Sequence, residues 1–251
     1  MKLKVRDVEF SYNNGASVLK QIHMDVKVHD VLAILGPNGV GKTTLLKCIN
    51  GLLKTKTGTI MVDEEDLRKL SRNEIAKRIG YVSQRAEVSK ITVFDSVLLG
   101  RKPHITWDVS KKDIHIVEDV MKRLDLDALA LKYIDEISGG ELQKVQIARA
   151  LVQEPKVLLL DEPTSNLDLC NQHRIMAALV DVVKKNDLTA IMTMHDLNLA
   201  MQYADKFIML KNGKIFAAGG QEVITPENIE AVYDLAVNVA NYMGRPIIIP
   251  I

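Results

Sequence analysis

The sequence is poor in cysteine, in aromatic residues and in long apolar runs. Its only cysteines, Cys48 and Cys170, lie far apart, with neither a Cys-x-x-Cys pair nor a histidine at metal-binding spacing. We therefore expect reduced thiols and no structural metal site. A chain of 251 residues buries roughly 70–75% of its unfolded surface, so it can build a full core without such cross-links.

Neither sign of charge predominates. The 33 basic and 32 acidic side chains leave a formal net charge of +1, which gives no reason to expect nucleic acid or an anionic membrane surface as the main partner. No stretch approaches the roughly 18 apolar residues that span a bilayer, and the amino terminus lacks the apolar segment of a signal peptide. If the protein serves a membrane, we expect it to act from the cytosolic side through another chain.

Short apolar segments alternate with helix-like segments, which is typical of an α/β protein with a parallel sheet and crossover helices. No repeat or linker interrupts residues 1–251, so we predict a single domain. The Asn212-Gly213 pair predicts a hairpin turn. The predicted strands are Leu3–Phe10, Val26–Val28, Val31–Leu35, Ile79–Val82, Val157–Leu160, Ala190–Thr193, Phe207–Leu210 and Lys214–Ala217.

A mostly helical pattern occupies roughly residues 90–155. Ser110, with Asp113 three residues later, predicts a capped helix whose buried face carries Ile114, Val117, Met121 and Leu124. Helices are also expected over Lys42–Gly51 and from Thr225-Pro226, after which we expect no room for a further domain.

A glycine-rich turn between a strand and a helix matches the pattern G-x-x-x-x-G-K-[ST]. Glycines let successive backbone N–H groups curve around a phosphate, and the following helix directs its positive dipole end at the same anion. The lysine reaches the β- and γ-phosphates and the final hydroxyl ligates Mg²⁺. The predicted ATP-binding residues are Gly36, Pro37, Asn38, Gly39, Val40, Gly41, Lys42 and Thr43, together with the adjoining Thr44.

A pair of carboxylates ends the apolar strand Val157–Leu160. In open α/β sheets ligands bind at the carboxyl ends of the strands, so Asp161 is predicted to hold Mg²⁺, directly or through water. Glu162, one residue later, is predicted to polarise the attacking water as a general base. A strand that merely stops at charged residues would be the alternative if no phosphate loop were present.

A Ser-Gly-Gly motif precedes the helix that ends near Gln153. Ser138 and Glu141 form the S-x-x-E pattern of a capping box, which makes the helix start a ready anion site. With Gly139 and Gly140, this motif resembles the signature of the ABC ATPases. The chain departs from that signature at Ile137, where the family has Leu, and at Glu141, where it has Gln.

The resemblance covers nearly the whole chain in the family's order and spacing, and it implies further roles. Tyr12 matches the aromatic residue that stacks on adenine. Gln84 matches the glutamine that links the nucleotide to the helical lobe, as part of the catalytic and metal-binding set. Asp168 closes the Ser-Asn-Leu-Asp loop that crosses the dimer interface, and His195 matches the catalytic switch histidine at the γ-phosphate.

The fold that the resemblance implies is the P-loop ABC ATPase fold. It has a mostly parallel core sheet, an antiparallel β subdomain and an α-helical subdomain at approximately 86–156. In such proteins the signature of one subunit faces the phosphate loop of the other, so a homodimer would sandwich ATP. Lys144 and Arg149 are interpreted as surface charges and residues 63–66 as a hairpin turn without function.

Two classes of ABC protein remain open. The chain has neither the two cassettes of soluble translation factors nor the coiled-coil insertions of repair proteins, which favours a transport ATPase with two separate polytopic permease subunits and, indirectly, a substrate-binding protein. A third class, the P-loop kinases and GTPases, is set aside because these proteins lack the Ser-Gly-Gly signature.

Three stretches, residues 92–104, 194–200 and 244–246, resemble the iron–siderophore, haem and vitamin B12 importer ATPases. Importers of molybdate or tungstate remain an alternative, as does a soluble ABC ATPase.

Overall fold

The computed structural model describes residues 2–13, 15–84, 90–165, 167–242 and 245–251. In these ranges the strands form a four-stranded, a six-stranded and a two-stranded sheet. They are β1 (Leu3–Ser11), β2 (Ser17–Val26), β3 (Val31–Leu35), β4 (Thr57–Val62), β5 (Glu65–Asp66), β6 (Ile79–Val82), β7 (Val157–Asp161), β8 (Thr189–Thr193), β9 (Lys206–Lys211), β10 (Lys214–Gly219), β11 (Val237–Tyr242) and β12 (Arg245–Pro250).

Two helices begin at the predicted capping residues Ser110 and Thr225, whose hydroxyls each accept an N-terminal backbone hydrogen bond, and Pro226 occupies the first turn of the second. Thr92 caps a further helix in the same way. The helices are α1 (Lys42–Ile49), α2 (Arg72–Ala76), α3 (Val93–Leu98), α4 (Lys111–Arg123), α5 (Gly139–Leu151), α6 (Leu169–Lys185), α7 (Leu197–Tyr203) and α8 (Pro226–Tyr233).

The six-stranded sheet places the carboxyl ends of its inner strands side by side. Its order is β10-β9-β3-β8-β7-β6, with parallel pairing throughout except between β9 and β10. Every residue of β3, β7 and β8 is buried, as expected for apolar strands covered on both faces. The ends of these three strands therefore open onto one edge, where the phosphate loop and the two carboxylates follow.

The antiparallel sheet has the order β2-β1-β4-β5. Here the predicted strand Val26–Val28 was wrong, because β2 occupies Ser17–Val26. Its buried positions alternate from Ile22 to Val26, a period of two that marks a half-buried strand. The chain leaves the sheet after Val26 in a turn where His29 has φ 66° and the Asp30 carboxylate accepts the Lys27 N–H at 2.9 Å.

Two apolar clusters cover opposite faces of the six-stranded sheet. Alternate residues of β3 divide between them, with Ala33 in the cluster that includes α3 to α8 and Ile34 in the cluster formed with α1 and the antiparallel sheet. The helical part of the chain thus packs on the core that the sheet supports. The subdomain bounds at 86–156 stay a prediction.

One sequence prediction about the helices was wrong in part. Val117 and Met121 of α4 and Leu124 at its end are buried, but Ile114 is 38% exposed because Asp113 takes the inward position in the first turn. The Lys144 side chain is 24% exposed, and its Nζ donates to the carbonyl of Leu124 at 3.0 Å, just beyond the end of α4. Arg149 is exposed, as predicted.

A buried arginine just after α3 joins the start of α4 to the segment that follows α5. Arg101 is 3% and Asp113 6% exposed, and the Arg101 Nε donates to the Asp113 carboxylate at 2.8 Å. Arg101 also donates to the Val152 carbonyl at 2.6 Å and to the Glu154 carboxylate at 2.9 Å. The Ser110 hydroxyl and then the Arg101 guanidinium hold the pKa of Asp113 down to about 2.

We expect Asp113→Asn to reduce the free energy of unfolding by about 1.5–3 kcal/mol at pH 7, because the variant loses a charge-assisted hydrogen bond. The folded-state pKa of Asp113 is lowered, so its contribution is present above the unfolded value of about 3.9 and is lost as the pH falls from there towards about 2. Urea denaturation at pH 7, 5, 4 and 3.5 should show the gap to wild type narrowing below pH 4. The exposed Asp135→Asn serves as control; a gap that is constant with pH would contradict the assignment.

Candidate active site

The phosphate loop, residues 36–43, follows β3 and leads into α1 in the conformation that its glycines permit. Gly36, Gly39 and Gly41 have φ values of 145°, 78° and 113°, which side chains disfavour. A Cβ on Gly36 would lie 2.7 Å from the Leu210 carbonyl oxygen. The N-terminus of α1 carries no side-chain cap, so its backbone N–H groups face the loop as an anion site.

The Lys42 side chain lies inside the curve of this loop. Its Nζ donates to the carbonyls of Gly36 at 2.8 Å and Pro37 at 3.2 Å, and the residue is only 6% exposed. Burial lowers the pKa of Lys42, while the charges of Glu162 and Asp161 act in the opposite direction. A lysine held by loop carbonyls can exchange them for phosphate oxygens, which offer it charge as well as hydrogen bonds.

Asp161 lies at the centre of a polar cluster at the end of β7. Its Oδ1 accepts hydrogen bonds from the Thr43 hydroxyl at 2.9 Å and the Thr193 hydroxyl at 2.8 Å, and its Oδ2 accepts from the Tyr81 hydroxyl at 3.4 Å. Asp161 is 2% exposed. Burial, then the charge of Asp161, raises the pKa of Tyr81.

This donor set fits Mg²⁺. A hydroxyl and a carboxylate meet at the phosphate loop, and Mg²⁺ is characteristically bound by one or two carboxylates together with substrate phosphates and water. Among the described residues no group of three or more His, Cys, Asp or Glu side chains could hold a metal by itself. Thr43 and Asp161 would hold the ion together with the nucleotide, and the ion would supply positive charge that neutralises the phosphates.

Glu162 follows Asp161 in a left-handed backbone conformation, with φ 52°. Its N–H donates to the Thr193 hydroxyl at 2.9 Å. One carboxylate oxygen accepts a hydrogen bond from Gln84 Nε2 and the other contacts His195 Nε2. Three residues that the sequence places 33 to 111 positions apart thus meet at one carboxylate, whose side chain is 12% exposed.

Tyr12 lies beside the first turn of α1. Its hydroxyl is 3.3 Å from the Thr44 hydroxyl, and its ring meets Phe10 edge to face at a centroid distance of 4.8 Å. The residue is 49% exposed, so part of the ring remains open to a planar base. The role of Tyr12 in stacking on adenine stays a prediction.

The signature begins α5 with the capping box that the sequence predicts. The Glu141 N–H donates to the Ser138 hydroxyl at 3.3 Å, and the Ser138 N–H donates to the Glu141 carboxylate at 2.8 Å. The Ser138 hydroxyl also contributes most to lowering the pKa of Glu141. At Gly139 an added Cβ would meet nothing within 4 Å, so this face of the helix start is open.

The signature approaches the first turn of α6 and not the phosphate loop of its own chain. A Cβ on Gly140 would lie 3.2 Å from the side chain of Asn171, and Asn171 donates both its N–H and its amide group to Asp168 at 2.8 Å. Across the parts of the chain that the structure describes, no hydrogen bond joins residues 138–141 to residues 36–43. Asn166, in the predicted interface loop, lies outside those parts.

Sequence reasoning missed three residues of the site. Thr193 ends β8 and forms hydrogen bonds with both Asp161 and Glu162. The sequence hinted at this residue only by placing a polar side chain at the end of a strand predicted for the same sheet. Tyr81 lies within the apolar pattern of β6. Tyr233 at the end of α8 accepts the Gly36 N–H at 2.7 Å, and nothing in the local sequence indicates this contact.

Curated relatives match the chain over most of its length. It is 56% identical over 251 residues to an uncharacterised ABC transporter ATP-binding protein of Methanocaldococcus jannaschii, covering 100% of this chain and 98% of the relative. It is 38% identical to a Helicobacter pylori protein named "probable iron chelatin transport ATP-binding protein", and the match covers 93% of each protein. It is 37% identical to a cobalamin import ATP-binding protein of Halobacterium salinarum, covering 93% of this chain and 58% of that protein.

Solved structures share the fold. A chain of an inward-facing transporter described as metal-chelate type superposes with a TM-score of 0.85 at 30% identity, covering 100% of this chain and 96% of the other. An ATP-binding cassette solved as a dimer in a post-hydrolysis state with ADP and phosphate superposes with a TM-score of 0.77 at 27% identity, covering 87% and 98%.

The profile of the family described as "ABC transporter" matches residues 19–165, which include the phosphate loop, the signature and both carboxylates. None of the helices formed by the described residues is both long and apolar enough to cross a bilayer. The sequence motifs, the site and the fold agree with this match, and the chain belongs to the ABC transporter family as an ATP-binding subunit with ATPase activity.

Proposed function

We propose that this protein is the ATP-hydrolysing subunit of an importer for a metal chelate of the iron–siderophore, haem or cobalamin type. The observation that carries the hydrolytic part is the carboxylate of Glu162, held by Gln84 and His195 directly after the Asp161 cluster and the phosphate loop. The cargo class is supported by the relatives named for iron chelatin and cobalamin transport and by the metal-chelate type transporter.

In the proposed reaction the residues of one chain divide the work between binding and water activation. The phosphate loop and Lys42 bind the β- and γ-phosphates, and Thr43 and Asp161 would hold the Mg²⁺ ion, which would supply charge to neutralise them. Glu162 accepts a proton from the attacking water. His195 contacts the same carboxylate and orients it, while Gln84 links this group to the helical lobe.

A second copy of the chain would complete the site. Residues 138–141 have an open helix start and make no hydrogen bond to their own phosphate loop among the described residues. A helix N-terminus suits a γ-phosphate presented by a partner, because its positive dipole end favours an anion. The dimeric cassette with ADP and phosphate supports this arrangement, in which the Asp168 loop would cross between subunits and ATP would act as the link.

The partners in the proposed complex are two polytopic permease subunits and, indirectly, a substrate-binding protein. The protein would then act at the cytoplasmic face of the membrane as a peripheral subunit. The permease and the binding protein contact the cargo, so the cargo is tested through them.

The test uses the Glu162→Gln variant as bait. With Mg²⁺ and ATP it should capture a polytopic membrane protein from detergent-solubilised membranes of the native organism, identified by mass spectrometry. The exposed Glu118→Gln variant, and Glu162→Gln with ADP in place of ATP, are the matched controls and should capture less, because hydrolysis or the missing γ-phosphate leaves the dimer open.

The captured partner decides between the alternatives. A permease would support transport, and uptake of labelled cobalamin, haem, iron–siderophore or molybdate by cells with and without that permease would identify the cargo class. Capture of ribosomal or DNA-bound proteins alone would overturn the importer proposal while leaving the ATPase intact.

A further inference from the structure

A contact from the carboxyl-terminal part of the chain reaches the first residue of the phosphate loop. The backbone N–H of Gly36 donates to the Tyr233 hydroxyl at 2.7 Å, across 197 positions of sequence. Burial raises the pKa of Tyr233 to about 12, so the hydroxyl is protonated at neutral pH and accepts this hydrogen bond through a lone pair.

The helix that carries Tyr233 is firmly anchored. Ile229 and Val232 are buried at 0% and 2% exposure, and the Thr225 hydroxyl caps the N-terminus of α8. Near the other end the Lys211 ammonium donates to the Ala231 carbonyl, which joins α8 to the last residue of β9. A side chain on such an element holds its hydroxyl in one place.

Gly36 is held at both of its backbone polar groups. Its N–H donates to Tyr233, and its carbonyl accepts from Lys42 at 2.8 Å. The Leu210 carbonyl closes the remaining side, where even a methyl group would lie within 2.7 Å. When Lys42 turns to a bound phosphate, the carbonyl loses some or all of that donor, whereas the contact with Tyr233 does not involve the ammonium at all.

We infer that Tyr233 is a positioning residue for nucleotide binding: its hydroxyl fixes Gly36 while Lys42 exchanges loop carbonyls for phosphate oxygens. The inference rests on the proposed role of the phosphate loop as the ATP site. Without the hydroxyl, part of the binding free energy of the nucleotide would be consumed in ordering the loop, which weakens binding without altering the reacting groups.

The test is Tyr233→Phe, which keeps the ring and removes only the acceptor. One neutral hydrogen bond corresponds to about a two- to twelve-fold change in an equilibrium constant. We therefore expect the KM for ATP and the Kd for ADP to rise by that factor, with kcat at saturating ATP unchanged. Amide hydrogen exchange at Gly36, followed by NMR, should also be faster in the variant.

The control is Tyr203→Phe, which removes a tyrosine hydroxyl that lies 3.0 Å from the His173 ring and donates to the His173 carbonyl at 3.3 Å, both contacts being on α6 and not on residues 36–43. It should leave the KM for ATP and the exchange of Gly36 unchanged. A merely structural loss in Tyr233→Phe would reduce the active fraction, which lowers the apparent kcat and leaves KM in place.

An unchanged KM, or unchanged exchange at Gly36, in Tyr233→Phe would overturn the inference alone, because the wild-type protein would still bind and hydrolyse ATP. Failure of the wild-type protein to bind ATP would overturn the proposed function as well. The two failures are therefore distinguished by the wild-type measurement.

Discussion

Lys42→Ala should reduce ATP turnover by at least about 100-fold, which is the scale of removing one preorganised donor from a charged transition state. Lys42 is 6% exposed and its ammonium already lies within the phosphate loop, so its removal takes away a charged donor that is in place before the nucleotide binds. Phosphate release from the purified protein, with Mg²⁺ and a range of ATP concentrations, measures the effect.

The surface variant Lys185→Ala is the matched control for Lys42→Ala. The Lys185 side chain is 73% exposed and pairs with Asp181 on the same helix, so turnover should be unchanged. Lys42→Arg should also fail, since a planar guanidinium does not fit a buried site built for a compact ammonium. Retention of more than half of the wild-type rate in Lys42→Ala would show that this lysine does not contact the transferred phosphate.

Glu162→Gln should slow hydrolysis by about 10²–10⁴-fold, the usual contribution of a general base, while ATP affinity stays within a few-fold of wild type. The amide keeps the size of the carboxylate and can still contact Gln84 and His195, but it cannot accept a proton from water. Because ATP is then bound and not consumed, the variant should accumulate as a dimer with Mg²⁺ and ATP in size-exclusion chromatography with light scattering.

Glu118→Gln, on the exposed face of α4, controls for the loss of one negative charge. It should hydrolyse ATP at the wild-type rate and return to the monomer after turnover. If Glu162→Gln hydrolysed ATP at the wild-type rate, the assignment of Glu162 as the base would be wrong. If it were inactive but monomeric with ATP, hydrolysis would still depend on Glu162 and the sandwich would need the permease to form.

Local patterns predicted the parts of the site that one segment can build. The phosphate loop needs only glycines, a lysine and a hydroxyl between a strand and a helix, and the structure has them there with left-handed glycines. The capping boxes at Ser110 and Ser138 are contacts between residues three apart, and both are present. The site roles implied by the family resemblance, including those of Tyr12 and Asp168, stay predictions.

Contacts between distant segments could not be predicted in this way. The bounds of β2 and the exposure of Ile114 depend on which other strand or helix packs against these residues. A short apolar segment does not show which element of the fold will pack against it. The partner of Lys144 is likewise a carbonyl 20 residues away. Each depends on the packing of separate helices and strands.

By itself the sequence determined the family, the mostly parallel sheet, the phosphate loop and the two carboxylates after β7, because each of these is written in a short segment whose chemistry and backbone geometry are local. Only the tertiary structure decided which side chains complete the site. The order β3-β8-β7 places Thr193 beside Asp161 and Glu162, and Asp161 also accepts a hydrogen bond from Thr43. The packing of α8 against β9 brings Tyr233 to Gly36. Those contacts depend on strand order and register, which arise from burial across the whole chain.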